Sequence, residues 1–134
     1  MRHGANILVV DDDPDDHEFF REAVKYLSGH HLITSVYNGL QALDFLLKRG
    51  AYKNRQNNNP DFIVLDLNMP ILNGFATFQA IREHPELKSV PIYVLTTSEE
   101  HRDFETCKKL GCAGIFTKPP KLDQLSAVIK KMIR

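Results

Sequence analysis

At 134 residues the chain is the size of one domain, long enough to bury about two thirds of the surface that its unfolded form exposes. Its 17 basic and 17 acidic residues sum to zero formal charge, so no global field favours nucleic acid or a membrane surface as partner. The opening Met1-Arg2-His3-Gly4 is too brief for a signal-peptide core and no apolar run approaches membrane-spanning length, which predicts a cytoplasmic protein.

The apolar run Asn6–Val10 reads as a first strand. After it, Asp13 is placed to cap a helix with Pro14 at its first position and Asp15 and Asp16 in its first turn, where acids suit the helix dipole. That helix buries Phe20, Ala23, Val24 and Leu27 and stops near Gly29. Residues 31–36 form strand two, and Leu40, Leu43, Leu46 and Leu47 give helix two an apolar face that ends before Gly50. The stretch 48–60 carries Lys48, Arg49, Lys53, Arg55 and the tract Asn57-Asn58-Asn59, with only Ala51 and Tyr52 to anchor it. It reads as a mobile solvated loop or, more sharply, as a partner-binding insertion. Strand three spans 61–65, and Phe75, Phe78, Ala80 and Ile81 mark helix three, closed before His84-Pro85. Strand four spans 90–95, helix four 99–110 with Gly111 beyond its end, and strand five Gly114–Thr117. Leu122, Leu125, Val128, Ile129 and Met132 form the face of helix five.

Strict alternation of strand and helix implies a parallel sheet with helices on both faces, and runs such as Phe62-Ile63-Val64-Leu65 are apolar without alternation, as in strands buried on both sides. Four strands end on residues suited to phosphate chemistry: Asp11-Asp12, Asp66, Thr96 and Lys118. The carboxyl ends of parallel strands open on one side, where such folds build their ligand crevice, so these groups are expected to converge. An acidic N-cap accounts for one of Asp11, Asp12 and Asp13 but not for all three. Cys107 and Cys112 have neither zinc-finger nor redox spacing and read as two buried thiols. His17, His30, His31, His84 and His101 match no ligand set, and His17 is expected on a partly exposed helix surface. No Gly-rich fingerprint follows strand one, which disfavours dinucleotide binding.

The strings "ILVVDDDPDD", "FIVLDLNMPILNG", "VPIYVLTTSEE" and "GCAGIFTKPP", in that order and at those intervals, resemble the receiver domain of two-component response regulators across essentially the whole chain, taken as a single domain over 1–134. The long connection before strand three is more loosely similar to stand-alone receivers that partner phytochrome-type sensor histidine kinases. The resemblance implies a flavodoxin-like, doubly wound five-stranded sheet in the order 2-1-3-4-5. It implies that Asp66 accepts a phosphoryl group from a kinase or phosphotransfer-protein phosphohistidine, with Mg²⁺ or Mn²⁺ as cofactor. Asp12 and Asp66 would bind the metal directly, Asn68 would add its backbone carbonyl and Asp11 would act through water. Lys118 would ion-pair with one phosphoryl oxygen and Thr96 hydrogen-bond another. In the family the corresponding Lys–Pro bond is cis, so Lys118–Pro119 is expected to be cis. Asn68 and Ser98 are implied to tune phosphate lifetime.

Phosphorylation is expected to repack the face of helix four, strand five and helix five, the family's usual output and homodimer surface. The chain departs from the family at Ile115, where an aromatic ring is common, and Phe116 points to the opposite face of the strand. Thr97, often Ala in the family, is placed to crowd access to Asp66. The chain ends at Arg134, directly after helix five, so output is expected through a partner, a dimer or a relay. Such a protein catalyses its own phosphorylation and slow dephosphorylation but turns over no external metabolite. Two rivals are a receiver-like module that is never phosphorylated and a small aspartyl-phosphate phosphatase, against which stands Asn68 where that class places a second aspartate.

Overall fold

The computed structural model describes residues 4–56, 58–69, 72–97 and 99–133. Ser98, with its expected tuning role, lies outside them, as do Asn57 of the Asn-rich tract and Pro70.

Five parallel strands, β1 (Asn6–Val10), β2 (Leu32–Val36), β3 (Phe62–Leu65), β4 (Ile92–Thr96) and β5 (Gly114–Thr117), form one sheet in the order β2-β1-β3-β4-β5. Between and after them run α1 (Pro14–Val24), α2 (Gly39–Leu47), α3 (Gly74–Arg82), α4 (His101–Leu110) and α5 (Leu122–Ile133). The flavodoxin-like architecture implied by the sequence is therefore the architecture found.

Alternate strand residues pack against different helices, so each apolar strand is buried twice. Leu8, Val10, Ile63, Leu65 and Ile92 share a core with Phe45, Leu46, Phe78 and Ile81 of α2 and α3. Ile7, Val9, Phe62 and Val64 share another with Phe20, Val24, Leu125 and Ile129 of α1 and α5. Val94 joins Leu67 and Cys107 of α4, with Ile115 packed beside them, whereas Phe116 packs on the α1–α5 side. The two β5 residues do point to opposite faces.

Three helix boundaries show why the chain turns where it does. Asp13 caps α1 by accepting from the Asp15 amide, with Pro14 at the first position, as the sequence indicates. Gly111 ends α4 at φ 84°, a left-handed conformation that costs glycine nothing, and the amide of Cys112 donates back to the Cys107 carbonyl. Both cysteines are free thiols, Cys107 fully buried and Cys112 half-buried, and burial, reinforced by Cys112, pushes the Cys107 thiol up to about 12. At Gly74 a Cβ would lie 2.5 Å from the Asp66 carbonyl oxygen, so only glycine lets α3 start against the end of β3.

The structure corrects four expectations about helix ends, helix phase and connections. α1 ends at Val24 rather than near Gly29, and Leu27 is packed against the α1–α5 core from the turn beyond it. Leu40 is 53% exposed, because α2 starts at Gly39 and its phase turns Ala42, Leu43, Phe45 and Leu46 inward instead. Among the described residues no peptide bond is cis, so Lys118–Pro119 is trans. The trans form is the cheaper one, and Lys118 reaches the site from it with its amide already fixed on the Thr96 carbonyl at 2.7 Å. Finally, the connection after α2 is tied down by more than Ala51 and Tyr52. Arg55 stacks its guanidinium 4.3 Å from the Phe45 ring centre and donates to the carbonyls of Phe45, Leu46 and Asn58. Tyr52 meets the same ring edge-on.

Candidate functional site

Ladder hydrogen bonds continue one residue past the strands and fix where the polar side chains emerge. The Asp11 amide donates to the Val36 carbonyl, the Asp66 amide to that of Val10, and the Lys118 amide to that of Thr96. With Val10 in register with Leu65, Asp11 and Asp66 leave neighbouring strands side by side.

Of the groups expected to converge from the strand ends, Asp11, Asp12, Asp66 and Lys118 meet. Asp11, Asp12 and Asp66 each offer a carboxylate oxygen within 4.8 Å of the others. Lys118 Nζ donates to Asp11 Oδ2 at 2.9 Å and lies 3.6 Å from Asp66 Oδ2. The Asp66 carboxylate accepts from the Asn68 amide at 3.3 Å, and that of Asp11 from the Asp13 amide at 3.0 Å. Thr96 is fully buried at the end of β4, and Thr97, one residue on, lines a cavity of about 280 Å³ together with Asp11, Asp66 and Lys118.

Two functional neighbours escaped the sequence reading. Asp16 gives Lys118 its shortest contact, 2.7 Å, from the first turn of α1. The sequence placed Asp16 correctly in that turn, but a dipole-complementing acid carries no mark of the lysine it meets 102 residues away. His17, expected at a partly exposed surface, is 2% exposed. Its Nε2 donates to the Asp11 carbonyl at 2.8 Å, since a carbonyl can only accept, and its ring meets Tyr37 edge-on. Nδ1 makes no hydrogen bond, and burial lowers the pKa, favouring the neutral ring. The acidic residues flanking it disguised an inward position on the helix.

The electrostatics follow from counting. Burial is the main reason that the Asp11 carboxyl rises to about 6, with the Asp13 amide and Lys118 pulling the other way. Asp66 is also raised, again mainly by burial and against the pull of Lys118. Burial works against the Lys118 ammonium, yet its hydrogen bonds to Asp16 and Asp11 and the charges around it hold its pKa above the ordinary lysine value. One ammonium among several carboxylates is over-supplied with partners, while the carboxylates share too little positive charge. Hard oxygen donors left under-neutralised fit a divalent cation of the Mg²⁺ or Mn²⁺ type rather than a metal that prefers sulfur or imidazole.

A sequence profile described as "Response regulator receiver domain" matches residues 7–130. The chain belongs to that family. Among its relatives, "Response regulator Rcp1" of Synechocystis sp. is 32% identical over 124 residues, covering 92% of this chain and 83% of the relative. The crystal structure of the Mn²⁺-bound form of Rcp1 superposes with a TM-score of 0.83 at 31% identity, over 96% of this chain and 91% of that one. That of the phosphorylated cyanobacterial phytochrome response regulator RcpA gives 0.86, also at 31% identity and over the same shares of the two chains. Receiver domains are phosphoacceptors in two-component phosphorelay signalling and partner histidine kinases or phosphotransfer proteins. The acidic group of this receiver, with Asp11 and Asp66 buried and Asp12 exposed, fits the divalent cation site of its family. No helix among its described residues is long and apolar enough to cross a membrane.

Proposed function

We propose that this receiver takes a phosphoryl group onto Asp66 from a phosphohistidine and changes its partner binding in response. The observation that carries the reading is the meeting of Asp11, Asp12 and Asp66 within 4.8 Å, with the Lys118 ammonium 3.6 Å from Asp66. An oxygen of the Asp66 carboxylate attacks phosphorus as the P–N bond to the donor imidazole breaks, and the released imidazole nitrogen takes up a proton. Phosphoryl transfer asks a protein mainly for positioning and charge neutralisation. Asp12 and Asp66 directly, Asn68 through its backbone carbonyl and Asp11 through water would hold a divalent cation, which would supply positive charge facing the incoming anion. Lys118 ion-pairs with one phosphoryl oxygen and Thr96 hydrogen-bonds another. The added charge of roughly −1.5 to −2 then biases the connection after β4 and the α4–β5–α5 face.

The Mn²⁺-bound form of Rcp1 and the phosphorylated phytochrome response regulator RcpA support a divalent cation, phosphorylation and a phytochrome-type sensor kinase as partner. The reading extends to one receiver domain over 1–134, a cytoplasmic location, no nucleic-acid partner and a homodimer through α4, β5 and α5. Ile115 packs with Cys107 and Leu67 where an aromatic ring is common in the family, and the proposed switch therefore has no inward-turning ring to call on at this position.

Incubation with Mg²⁺ and acetyl phosphate tests the proposal. Stoichiometric, acid-stable and base-labile label on Asp66, abolished in Asp66→Asn with the fold intact, is the expected result. Full label in Asp66→Asn removes the assignment; continuous phosphate release points to a phosphatase, and no incorporation to an unphosphorylated interaction module.

A further inference from the structure

The hydrogen-bond partners nearest to Lys118 do not include the phosphoacceptor. An ammonium carries three hydrogens, and two are directed at Asp16 Oδ2, 2.7 Å away, and Asp11 Oδ2, 2.9 Å away. Asp66 Oδ2, at 3.6 Å, is beyond hydrogen-bond distance. Lys118 therefore leans towards α1. Of its three carboxylates, those of Asp11 and Asp66 are 7% exposed and each accept a backbone amide, whereas that of Asp16 is 39% exposed. Water can replace the lysine at Asp16 more cheaply than at either of the others. The cavity of about 280 Å³ beside the ion pair, lined by Asp16, Phe19, Lys118 and Pro119 among others, gives the lysine arm room to move.

We propose that Asp16 is a positioning residue that tethers the Lys118 ammonium to the first turn of α1 and holds it short of Asp66 until a phosphoryl oxygen displaces the tether. A phosphoryl group brings three acceptor oxygens and more charge than one carboxylate, so it wins Lys118 in competition, and Asp16 is the partner given up. The same exchange breaks a contact between the β5–α5 connection and α1, two parts of the chain far apart in sequence. This rests on the reading of Asp66 as phosphoacceptor, and it adds a competitor built into the resting site.

The test compares Asp16→Asn with Asp15→Asn, which removes the same charge from the same turn but at an exposed position one residue away. Two measurements decide it. In the metal-free protein, exchange of the Lys118 ammonium protons with water, followed by nitrogen-resolved NMR, should be several-fold faster in Asp16→Asn and unchanged in Asp15→Asn. With Mg²⁺ saturating, trifluoroberyllate, a tetrahedral phosphoryl mimic, should bind about tenfold tighter to Asp16→Asn, the equivalent of one competing charge-assisted hydrogen bond removed. Asp15→Asn should change that affinity about twofold at most, as an exposed charge does. Equal behaviour of the two variants in the exchange measurement overturns the tether. If the wild type takes neither label nor mimic, the Asp66 reading fails, and the exchange rates still decide whether Asp16 holds Lys118.

Discussion

Lys118 and Arg55 are both partly withdrawn from solvent, and their surroundings are opposites. Arg55 serves a finished structure: its donors meet the last carbonyls of α2, neutral acceptors at the negative end of the helix, and its flat face covers Phe45. Lys118 sits in an unfinished one, where acids outnumber it and Asp11 and Asp66 are penalised for their charge. In the connection, carbonyls and a ring already match the cation that meets them. A pocket with surplus carboxylate is stabilised by whatever positive charge arrives next, and that separates a structural loop from a site in this fold.

The largest effect that would break the contrast is in the connection. Arg55→Ala should cost about 3 kcal/mol in urea unfolding, from the lost charged hydrogen bonds to α2 and the lost stacking on Phe45. Arg55→Lys should recover only a minor part, because an ammonium lacks the planar fork. Neither change should alter labelling of Asp66. If Arg55→Ala unfolds at the wild-type midpoint, the connection is not the anchored structure described above.

In the pocket, the sign should reverse. The Asp11 carboxyl is raised from 3.8 to about 6 by burial, so the folded protein holds this proton more tightly than the unfolded chain does. The folded state is then penalised as pH rises through that window: Asp11 contributes nothing below about pH 4 and its full destabilisation above about pH 6, on the order of 3 kcal/mol. Asp11→Asn should accordingly stabilise the metal-free protein at pH 7 by about 2 kcal/mol and flatten that part of the stability profile, read by thermal unfolding across pH. Added Mg²⁺ should restore stability to the wild type above pH 6 and have little effect below pH 4. A removed carboxylate that destabilises at pH 7 would mean the pocket is as complete as the connection.

How much of this was legible in the sequence follows the same division. The strand ends were, because unalternating apolar runs locate buried parallel strands and parallel strands place their carboxyl ends together. The convergence of Asp11, Asp12, Asp66 and Lys118 was therefore readable. Arg55 was not, since its partners are backbone carbonyls that every sequence possesses. His17 and Leu40 were misplaced because a short helix carries too few residues to fix its phase. With α2 begun at Gly39, a rotation of one position exchanges Leu40 for Ala42 and Phe45 on the inward face. Asp16 was seen as a helix-start acid and missed as a lysine partner, a contact that exists only once the connection after β5 reaches the first turn of α1.

The smallest expected effect bears on access. Thr97 is exposed and lines the cavity shared with Asp66 and Lys118, so its methyl and hydroxyl stand in the approach of a phosphodonor without touching the fold's core. Thr97→Ala should therefore speed labelling of Asp66 by a small donor about twofold, a barrier change of about 0.4 kcal/mol, while leaving the unfolding midpoint in place. Lys53→Ala, an equally exposed trim on the connection, should change neither quantity. A rate gain with a large donor protein but not with acetyl phosphate would mean that Thr97 is met by the partner's surface rather than by the phosphoryl group. Unchanged rates with both would place the barrier to phosphorylation deeper, at the exchange of Lys118 between carboxylate and phosphoryl oxygens, and leave the rim of the pocket without influence on the reaction.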